Sequence, residues 1–417
     1  MKILKDLKKI GFSKLTLLDD ALKRIASLTT STSLIEVETS KALDRILGEN
    51  IISELDIPPF DRSAMDGYAV RAEDTFGASL SNPKKIKKIG TIEIGEESDL
   101  VVEPGEAIRI STGAAIPIGS DSVVKIEDTK IDKNEISLYT SVVPGKNVSK
   151  KGEDIPRGTE ILKSGIKIKA SHIALLSSLG INNLKVKEKP LVSIFAVGDE
   201  LIETGNSLPI NKIYNSNSPM ISSLVETYGG QVVRKLSLKD DKVEIKKNLL
   251  LSSTDSQIII FTGGTSVGTK DFLPEIINEC GEVLVHGIAM RPGSPILIGS
   301  LKQSLIFCLP GTPVAAYVCF LSIVGITIRK MLGCFNLDPR IEIIAEMSQD
   351  VPVGQMGYIH FLRVKLEKKG SKVLALPVKL KGSGVISSLT QSDGIVEISE
   401  AMEGLKKGDN VLVYLYP

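Results

Sequence analysis

The sequence predicts an α/β plus β protein, with a central three-layer α/β domain accompanied by small β domains. Three observations carry this prediction. Apolar runs of strand length alternate with helical patterns from Pro190 to Gly333. Short strands broken by glycine and proline fill residues 84–140, and a second all-strand pattern follows Gly333. The length of 417 residues also suggests about three domains.

The composition is that of an ordinary soluble globular protein. Hydrophobic residues make up 42%, charged residues 24%, and the net charge is +1. This balance gives no reason to expect nucleic acid or a membrane surface as the main partner. The N-terminus lacks the apolar core of a signal peptide. Cysteines without CxxC spacing argue against structural zinc and indicate a reducing, cytoplasmic compartment; they are Cys280, Cys308, Cys319 and Cys334.

The N-terminal part is predicted to begin with two helices. Apolar residues recur at helical spacing from Leu15 to Leu28, with Thr16 and Asp19 as a capping pair near the start. A second helix is predicted from Ser40 to Leu47, ending at Gly48. Both helices precede the first β domain.

A tight polar turn from Ser63 to Gly67 leads into a strand at Tyr68. Asp61 and Asp66 lie beside it, and aspartates in turns commonly cap the local backbone, which is what these residues alone favour. The short strands that follow predict a small β barrel or sandwich; they include Ala107–Ser111, Ser122–Ile126 and Glu135–Tyr139. The charged turn at residues 150–155 fits solvated surface.

The central region reads as strands and helices in alternation. A stretch from Thr312 to Ile328 approaches membrane-spanning length, but Pro313 at its first turn and the strand before it favour a buried helix. Strands are predicted at Leu191–Val197, Gln231–Leu238, Ile258–Phe261, Ile296–Ile298 and Leu305–Leu309. The other helices are predicted at Pro219–Tyr228, Val243–Leu251 and Phe272–Cys280.

A glycine- and hydroxyl-rich loop follows the strand Ile258–Phe261. Glycines let backbone N–H groups approach an anion, and the next helix N-terminus adds partial positive charge. A phosphate or other oxyanion site and a plain tight turn both remain open for this loop. Its binding candidates are Gly263, Gly264, Thr265 and Ser266.

Three acidic residues follow strands of the same predicted sheet: Glu200, Asp240 and Asp271. Turns after parallel strands meet at one edge of the sheet, so we expect these acids to converge beside the loop. Acids around an anion are compatible if a hard divalent cation lies between them. Arg291 could add a bidentate anion contact, or could be a surface arginine in a Pro-Gly turn. After Gly333, five strand-like stretches predict a β barrel of about 80 residues.

The chain resembles the molybdopterin molybdenumtransferase family, called MoeA in bacteria, which includes the E domain of gephyrin. The Ser63–Ala69 motif, Ser-Ala-Met-Asp-Gly-Tyr-Ala, is the most specific part of the match. Order and spacing hold from about Leu15 to the C-terminus. The matching stretches are Phe60–Val70, Ser111–Ala114, Gly152–Asp154, Gly198–Leu201, Gly263–Gly268 with Asp271, Pro292–Gly293 and Leu309–Ala316.

The resemblance implies an elongated, four-domain subunit that forms a homodimer. Domain I, residues 1–54 and 142–186, is helical and β and forms the dimer; domain II, residues 55–141, is a small inserted β domain. Domain III, residues 187–336, is the α/β molybdopterin-binding domain. Domain IV, residues 337–417, is a small β barrel.

The resemblance also implies an enzyme that inserts molybdate into adenylylated molybdopterin and releases AMP with the help of Mg²⁺. Tungstate is an equally acceptable oxyanion on this sequence. Glu200, Asp240 and Asp271 would hold Mg²⁺ and act in catalysis with Asp66, which approaches from the neighbouring β domain. Substrate-binding positions would be Thr112, Asp154, Arg291, Arg363 and Ser383, together with the Gly263–Ser266 loop. Implied partners are the pterin substrate, a molybdopterin adenylyltransferase and recipient molybdoenzymes.

Three places depart from the family pattern, and one of them is the strand before Gly198, which ends in Ala196-Val197 rather than Ser-Thr. Gly287 and Ser294 stand where relatives often carry lysines, which affects the expected anion ligands more than the fold. Two other functions stay open. A molybdopterin adenylyltransferase shares the α/β domain but lacks flanking β domains, and a gephyrin-like partner-binding scaffold would be expected to carry a long linker or fused domain.

Overall fold

The computed structural model describes residues 15–264, 272–378 and 382–417. The chain divides into two compact units. The first unit contains Met1–Gly48, Ser164–Lys169 and Asn183–Pro417, and the second contains Glu49–Lys163 and Ala170–Asn182. The finer division into four domains stays a prediction.

The centre of the first unit is a six-stranded sheet. Its strands run in the spatial order Gln231–Leu238, Leu191–Val197, Ile258–Thr262, Ser304–Leu309, Leu297–Leu301 and Glu282–His286. The first four are parallel, and the last two join antiparallel. The predicted, largely parallel sheet is therefore confirmed.

Helices cover both faces of this sheet, because its central strands are apolar on both sides. In Ile258–Thr262, Ile258 and Ile260 belong to one hydrophobic cluster, and Ile259 and Phe261 belong to the other. Burying an isoleucine side chain contributes about 1.5–3 kcal/mol. The first face is covered by helices Leu18–Leu28, Asn217–Thr227 and Pro313–Met331, and the second by Lys242–Ser252 and Leu273–Cys280. This is the predicted three-layer arrangement.

The apolar helix Pro313–Met331 is part of the core. Two α-helical segments, Pro313–Cys319 and Gly325–Met331, flank the π-helical turn Phe320–Val324. Its length and composition would suit a membrane span, yet 83% of its most apolar window is buried inside the protein. The expectation of a buried helix is confirmed.

The C-terminal part of the first unit is a closed five-stranded β barrel, as predicted. Strand Ile359–Lys369 pairs with both of its neighbours in the ring and closes it. Met290–Arg291 adds a short parallel strand to Ile359–His360, so a piece of the α/β region belongs to the barrel's sheet. The ring order is Ile359–Lys369, Lys372–Pro377, Glu342–Met347, Asn410–Leu415 and Gly394–Ile398, and smaller elements are Val351–Pro352 paired with Gly404–Leu405, and helix Ser387–Thr390.

The N-terminal part of the first unit corrects two predictions. The expected helix from Ser40 to Leu47 is only a 3-10 turn at Thr39–Lys41, because Ile46 and Leu47 form β-bridges with distant residues. The first helix, Leu18–Leu28, has no side-chain cap; Thr16 instead bridges Ile288. Strand Leu34–Glu38 pairs antiparallel with Asn183–Lys187.

The second unit is built on one six-stranded mixed sheet. In the strand Gly67–Val70, Tyr68 and Val70 enter one hydrophobic cluster and Ala69 enters another, so both faces are covered. The described pairings give an open strand order rather than the predicted barrel or sandwich. That order is Ser122–Lys125, Gly67–Val70, Glu106–Ile110, Lys84–Ile92, Glu135–Leu138 and Thr129–Asp132. The smaller elements are Ile51–Ile52 with Glu160–Leu162, Arg62–Ser63 with Val148–Ser149, and helix Ala170–Ser178.

Candidate functional site

The carboxyl ends of the four parallel strands form one edge of the α/β sheet. The first loop residues after neighbouring strands are joined by backbone hydrogen bonds. Gly198 N–H donates to the Leu238 carbonyl at 3.1 Å, and Gly263 N–H donates to the Leu309 carbonyl at 3.2 Å. The loops that follow these strands therefore start side by side, as the sequence predicted. Ligands of open α/β sheets bind at such an edge.

Asp240 is held at this edge by a reciprocal pair of hydrogen bonds with Asp199. The backbone N–H of Asp199 donates to Asp240 Oδ2 at 3.3 Å, and the N–H of Asp240 donates to Asp199 Oδ1 at 3.3 Å. Lys212 Nζ donates to the Asp199 carbonyl at 2.6 Å. Asp199 is a residue that the sequence analysis did not single out.

Glu200 lies one residue further on the same loop as Asp199. Its carboxylate packs over Gly198, where a Cβ atom would lie 2.6 Å from Glu200 Oε2. A larger residue at position 198 would displace the Glu200 carboxylate from this place. The structure thus brings the loops of Glu200 and Asp240 together. Asp271 lies outside the described residues, so its convergence with them stays a prediction.

Gly263 and Gly264 form the corner after the central strand. Both adopt left-handed backbone conformations, with φ of +87° and +67°. A Cβ on Gly263 would lie 2.3 Å from the Val197 carbonyl oxygen, and a Cβ on Gly311 would lie 3.4 Å from Gly263 Cα. Backbone therefore approaches backbone closely here. Thr265 and Ser266 lie outside the described residues.

Two asparagines that sequence reasoning missed lie at the same edge. Asn217 is 8% exposed, and its Nδ2 donates to the Gly311 carbonyl at 2.8 Å. Its Oδ1 is buried without a donor in the described part of the chain. Asn215 Nδ2 donates to Glu203 Oε1 and to the Ser237 hydroxyl oxygen. Hydrogen bonds from Ser237 and from Asn215 lower the pKa of the Glu203 carboxyl. The signal in the sequence was the run Asn215-Ser-Asn217 directly before a helix.

Arg291 lies at the edge of the C-terminal barrel, on the short strand Met290–Arg291. Its guanidinium carbon is 4.5 Å from the centroid of the Tyr358 ring. Its Nη2 donates to Gln355 Oε1 at 2.6 Å. The side chain is exposed, so Arg291 is an oriented cation rather than a loose surface arginine.

Neither position that lacks a family lysine supplies a charge. Gly287 has φ of +89°, and its N–H donates to the Ile296 carbonyl at 2.8 Å. The Ser294 hydroxyl donates to the Met290 carbonyl at 2.5 Å. Both residues therefore form hydrogen bonds with the local backbone.

Arg363 and Ser383 occupy different parts of the C-terminal region. Arg363 is half-buried on Ile359–Lys369; burial lowers the pKa of its guanidinium, and Tyr416 opposes that shift. The Ser383 carbonyl accepts the Val314 N–H at 3.1 Å. Ser383 therefore lies at the first turn of the buried helix, next to the sheet edge.

In the second unit, Asp66 and Thr112 are in direct contact. Asp66 Oδ1 accepts the Thr112 N–H at 2.7 Å and the Thr112 hydroxyl at 3.0 Å. These bonds lower the pKa of the Asp66 carboxyl, with a smaller contribution from the charge of Arg109. Both side chains are exposed.

The predicted local capping role of the two aspartates is wrong, because both link segments that are distant in sequence. Asp61 accepts Lys150 Nζ at 2.7 Å and the Lys151 N–H at 2.8 Å. Asp154 lies on the same turn as these lysines and donates its own N–H to the Ile57 carbonyl at 3.0 Å. The loops that carry the motifs of this unit are therefore tied to one another.

Among residues 15–264, 272–378 and 382–417, no group of three or more His, Cys, Asp or Glu side chains is placed to hold a metal ion. The predicted set of Glu200, Asp240 and Asp271 includes a residue outside these ranges. It stays a prediction.

Comparison with known proteins covers nearly the whole chain. Residues 16–180 match the MoeA N-terminal region (domains I and II), residues 193–330 match the probable molybdopterin binding domain, and residues 355–416 match the MoeA C-terminal region (domain IV).

Full-length relatives agree with these matches. A protein of Methanocaldococcus jannaschii is 36% identical over 420 residues, covering 99% of this chain and 97% of its own. The molybdopterin molybdenumtransferase of Staphylococcus aureus is 34% identical over 400 residues, covering 95% and 94%.

Solved structures show the same relationship. Two structures of molybdopterin biosynthesis MoeA proteins from Pyrococcus horikoshii each have a TM-score of 0.84, at 38% and 33% identity. They cover 96% and 97% of this chain and 99% and 100% of their own. On its sequence, its domain content and its fold, the chain belongs to the MoeA family.

Proposed function

We propose that this chain is a molybdopterin molybdenumtransferase, which inserts molybdate into adenylylated molybdopterin and releases AMP. The observation that carries the proposal is the edge of the α/β sheet, where Glu200, Asp240 and the Gly263–Gly264 corner follow neighbouring parallel strands. The region matching the probable molybdopterin binding domain contains this edge. Carboxylates beside an open backbone corner suit a phosphate-bearing substrate that arrives with a cation.

We assign each candidate residue of the site a role in that reaction. The glycine corner would let backbone N–H groups approach the phosphates, since no Cβ stands in the way. Arg291, Arg363 and Ser383 would hold anionic groups, including molybdate, with Arg291 able to donate in a bidentate manner. We assign further substrate contacts to Thr112, Asp154, Thr265 and Ser266, and a catalytic role to Asp66.

The donors at the sheet edge fit Mg²⁺, because a hard divalent cation prefers carboxylate oxygen. We propose that Glu200 and Asp240 hold it together with Asp271. When bound, Mg²⁺ would neutralise phosphate charge and favour cleavage of the phosphoanhydride. The reciprocal bonds with Asp199 keep the Asp240 carboxylate in place before a substrate arrives.

We also propose that the enzyme works in the cytoplasm as a homodimer. None of the four cysteines, all of which lie within the described residues, forms a disulfide, and three of them are buried, which suits a reducing compartment. Its partners would be a molybdopterin adenylyltransferase that supplies the substrate and molybdoenzymes that receive the product. Tungstate remains an alternative oxyanion substrate.

The test is AMP release from purified adenylylated molybdopterin and Mg²⁺, with and without molybdate or tungstate, under anaerobic conditions. We expect oxyanion-dependent release that falls by roughly a hundredfold in Asp240→Asn, since one electrostatic contribution to the transition state is lost. Asp241→Asn is the matched control. Asp241 caps the helix Lys242–Ser252 through two backbone N–H groups, and asparagine preserves such a cap.

Absence of AMP release in a protein that still binds the substrate would contradict the proposal. Adenylylation of molybdopterin with Mg-ATP would support the adenylyltransferase alternative instead. Retention of full activity in Asp240→Asn would remove Asp240 from the mechanism.

A further inference from the structure

The guanidinium of Arg291 rests on two residues of the C-terminal barrel region. The ring of Tyr358 faces it at 4.5 Å from guanidinium carbon to ring centroid, and Gln355 accepts a hydrogen bond from Nη2 at 2.6 Å. One contact covers a face of the planar group and the other fixes an edge. Without such contacts, an exposed arginine side chain samples many rotamers. Restricting it to one rotamer when a ligand binds costs conformational entropy.

The two supporting residues are themselves tied to the backbone around Arg291. Arg291 lies opposite His360 in a parallel ladder, and the Ile359 N–H donates to the Ala289 carbonyl at 3.0 Å. The His360 ring nitrogen Nε2 lies 2.8 Å from the Gln355 carbonyl oxygen. The segment 355–360 is therefore a platform registered against Arg291, and we call it the Arg291 platform.

Arg291 is the only charged residue between Gly287 and Ser294. Ser294 directs its hydroxyl to the Met290 carbonyl, so it offers no free donor hydrogen to an anion from that turn. Anion binding by this turn thus depends on a single guanidinium. Of its five N–H groups, Gln355 takes one among the contacts in the described part of the chain.

We propose that Tyr358 and Gln355 are positioning residues that orient Arg291 to receive a free tetrahedral oxyanion, molybdate or tungstate. The inference rests on the proposed function, in which Arg291 holds the anionic substrate. The aromatic ring shields the guanidinium from water on one side, and Gln355 sets its rotation. The remaining N–H groups then present a fixed fork that matches two oxygens of the anion.

The decisive comparison is between two substitutions at one position. Tyr358→Phe retains the aromatic face, whereas Tyr358→Leu removes it. We expect Tyr358→Leu to raise the KM for molybdate about two- to fivefold, the equivalent of an exposed cation–π contact, and to leave kcat nearly unchanged. Tyr358→Phe keeps the parent KM. Gln355→Glu places a carboxylate beside the guanidinium, where it competes with the anion, and raises the KM for molybdate about tenfold or more.

The barrel contains a matched control. Arg340 lies over the ring of Tyr414 at the same 4.5 Å, but Arg340 is buried and paired with Asp338 and Glu397. Tyr414→Leu removes an equivalent contact in a structural setting. It should lower the unfolding temperature without changing the KM for molybdate. Unfolding scans of every variant separate loss of fold from loss of affinity.

Calorimetric titrations with molybdate and with tungstate, without pterin, make the result independent of turnover. Weakened binding in Tyr358→Leu but not Tyr358→Phe supports the platform even if the parent protein releases no AMP, which would overturn only the proposed function. The platform is overturned if the parent protein binds neither oxyanion, or if Tyr358→Phe and Tyr358→Leu bind the oxyanion with equal affinity. It is also overturned if Tyr414→Leu weakens the oxyanion equally, or if Tyr358→Leu weakens only adenylylated molybdopterin.

Discussion

Replacing the two adjacent corner glycines with alanine separates backbone strain from steric overlap. Both residues have positive φ, so alanine costs about 1–2 kcal/mol at either position. At Gly263 the new Cβ would also lie 2.3 Å from the Val197 carbonyl oxygen, which belongs to a neighbouring strand of the sheet. At Gly264 the nearest atom is Leu273 Cδ1, at 3.2 Å, on a side chain that can rotate away.

Relief of the Gly263 overlap requires two hydrogen-bonded strands to separate, which costs a further ~1–3 kcal/mol. We therefore expect Gly263→Ala to lower the free energy of unfolding by about 2–5 kcal/mol and Gly264→Ala by about 1–2 kcal/mol. Urea denaturation followed by far-UV circular dichroism measures both variants. Equal destabilisation would refute the argument, because the Val197 carbonyl is the only steric difference it invokes.

Three further outcomes follow from local contacts. Two lysines lower the pKa of Glu279 from 4.5 to about 2, so its stabilising contribution is present above pH 4.5 and is lost as the pH falls through about 2; Glu279→Gln should flatten the acid limb of a pH–stability profile. Thr112→Val removes one of two hydrogen bonds to the Asp66 carboxylate and should raise its pKa, measured by carbon-detected NMR titration. Asn217→Leu removes the hydrogen bond from the buried Asn217 amide to the exposed Gly311 carbonyl and should cost about 0.5–1.5 kcal/mol in urea denaturation; an unchanged midpoint would contradict that assignment.

The α/β region was predictable chiefly because its central strands, Leu191–Val197 and Ile258–Thr262, are buried on both faces. Leu191–Val197 and Gln231–Leu238 were predicted with the bounds that the structure shows, and Ile258–Phe261 is longer by one residue. Continuous apolar runs of strand length between glycine and proline leave few alternatives. Their parallel direction also followed, since strands joined by helices place their carboxyl ends at one edge of the sheet.

The misses arose where distant pairing overrides local spacing. Leu43 and Leu47 have helical spacing, but Leu43 is 52% exposed while both Ile46 and Leu47 are buried. Ile46 and Leu47 are buried because they form bridges to distant segments, Ile46 to Lys167 and Leu47 to Val186. Thr16 was predicted to cap the first helix because only its local spacing was considered. Its partner lies at Ile288, which no local pattern reveals.

In the candidate site, too, the position of residues along the strands was predictable from the sequence, whereas their individual contacts were not. Glu200 and Asp240 could be expected at one edge because each follows a strand of a sheet predicted to be parallel. The reciprocal bonds between Asp199 and Asp240, and the packing of Glu200 over Gly198, depend on the path of individual loops. The contact of Tyr358 with Arg291 depends on the short strand Met290–Arg291, which joins the sheet of the barrel. Such contacts follow from tertiary structure and have no periodic signature.

The strand Met290–Arg291 has a consequence for anyone who divides this protein. It is covalently part of the α/β region, yet it hydrogen-bonds to Ile359 and His360 of the barrel. A barrel expressed alone from residue 337 would therefore present that stretch of backbone uncovered, a ready template for self-association. A fragment cut after residue 336 would in turn carry Arg291 without its supporting ring. The α/β region and the barrel are consequently not interchangeable modules, and a chimera that exchanges barrels between relatives must carry the Met290–Arg291 strand with it.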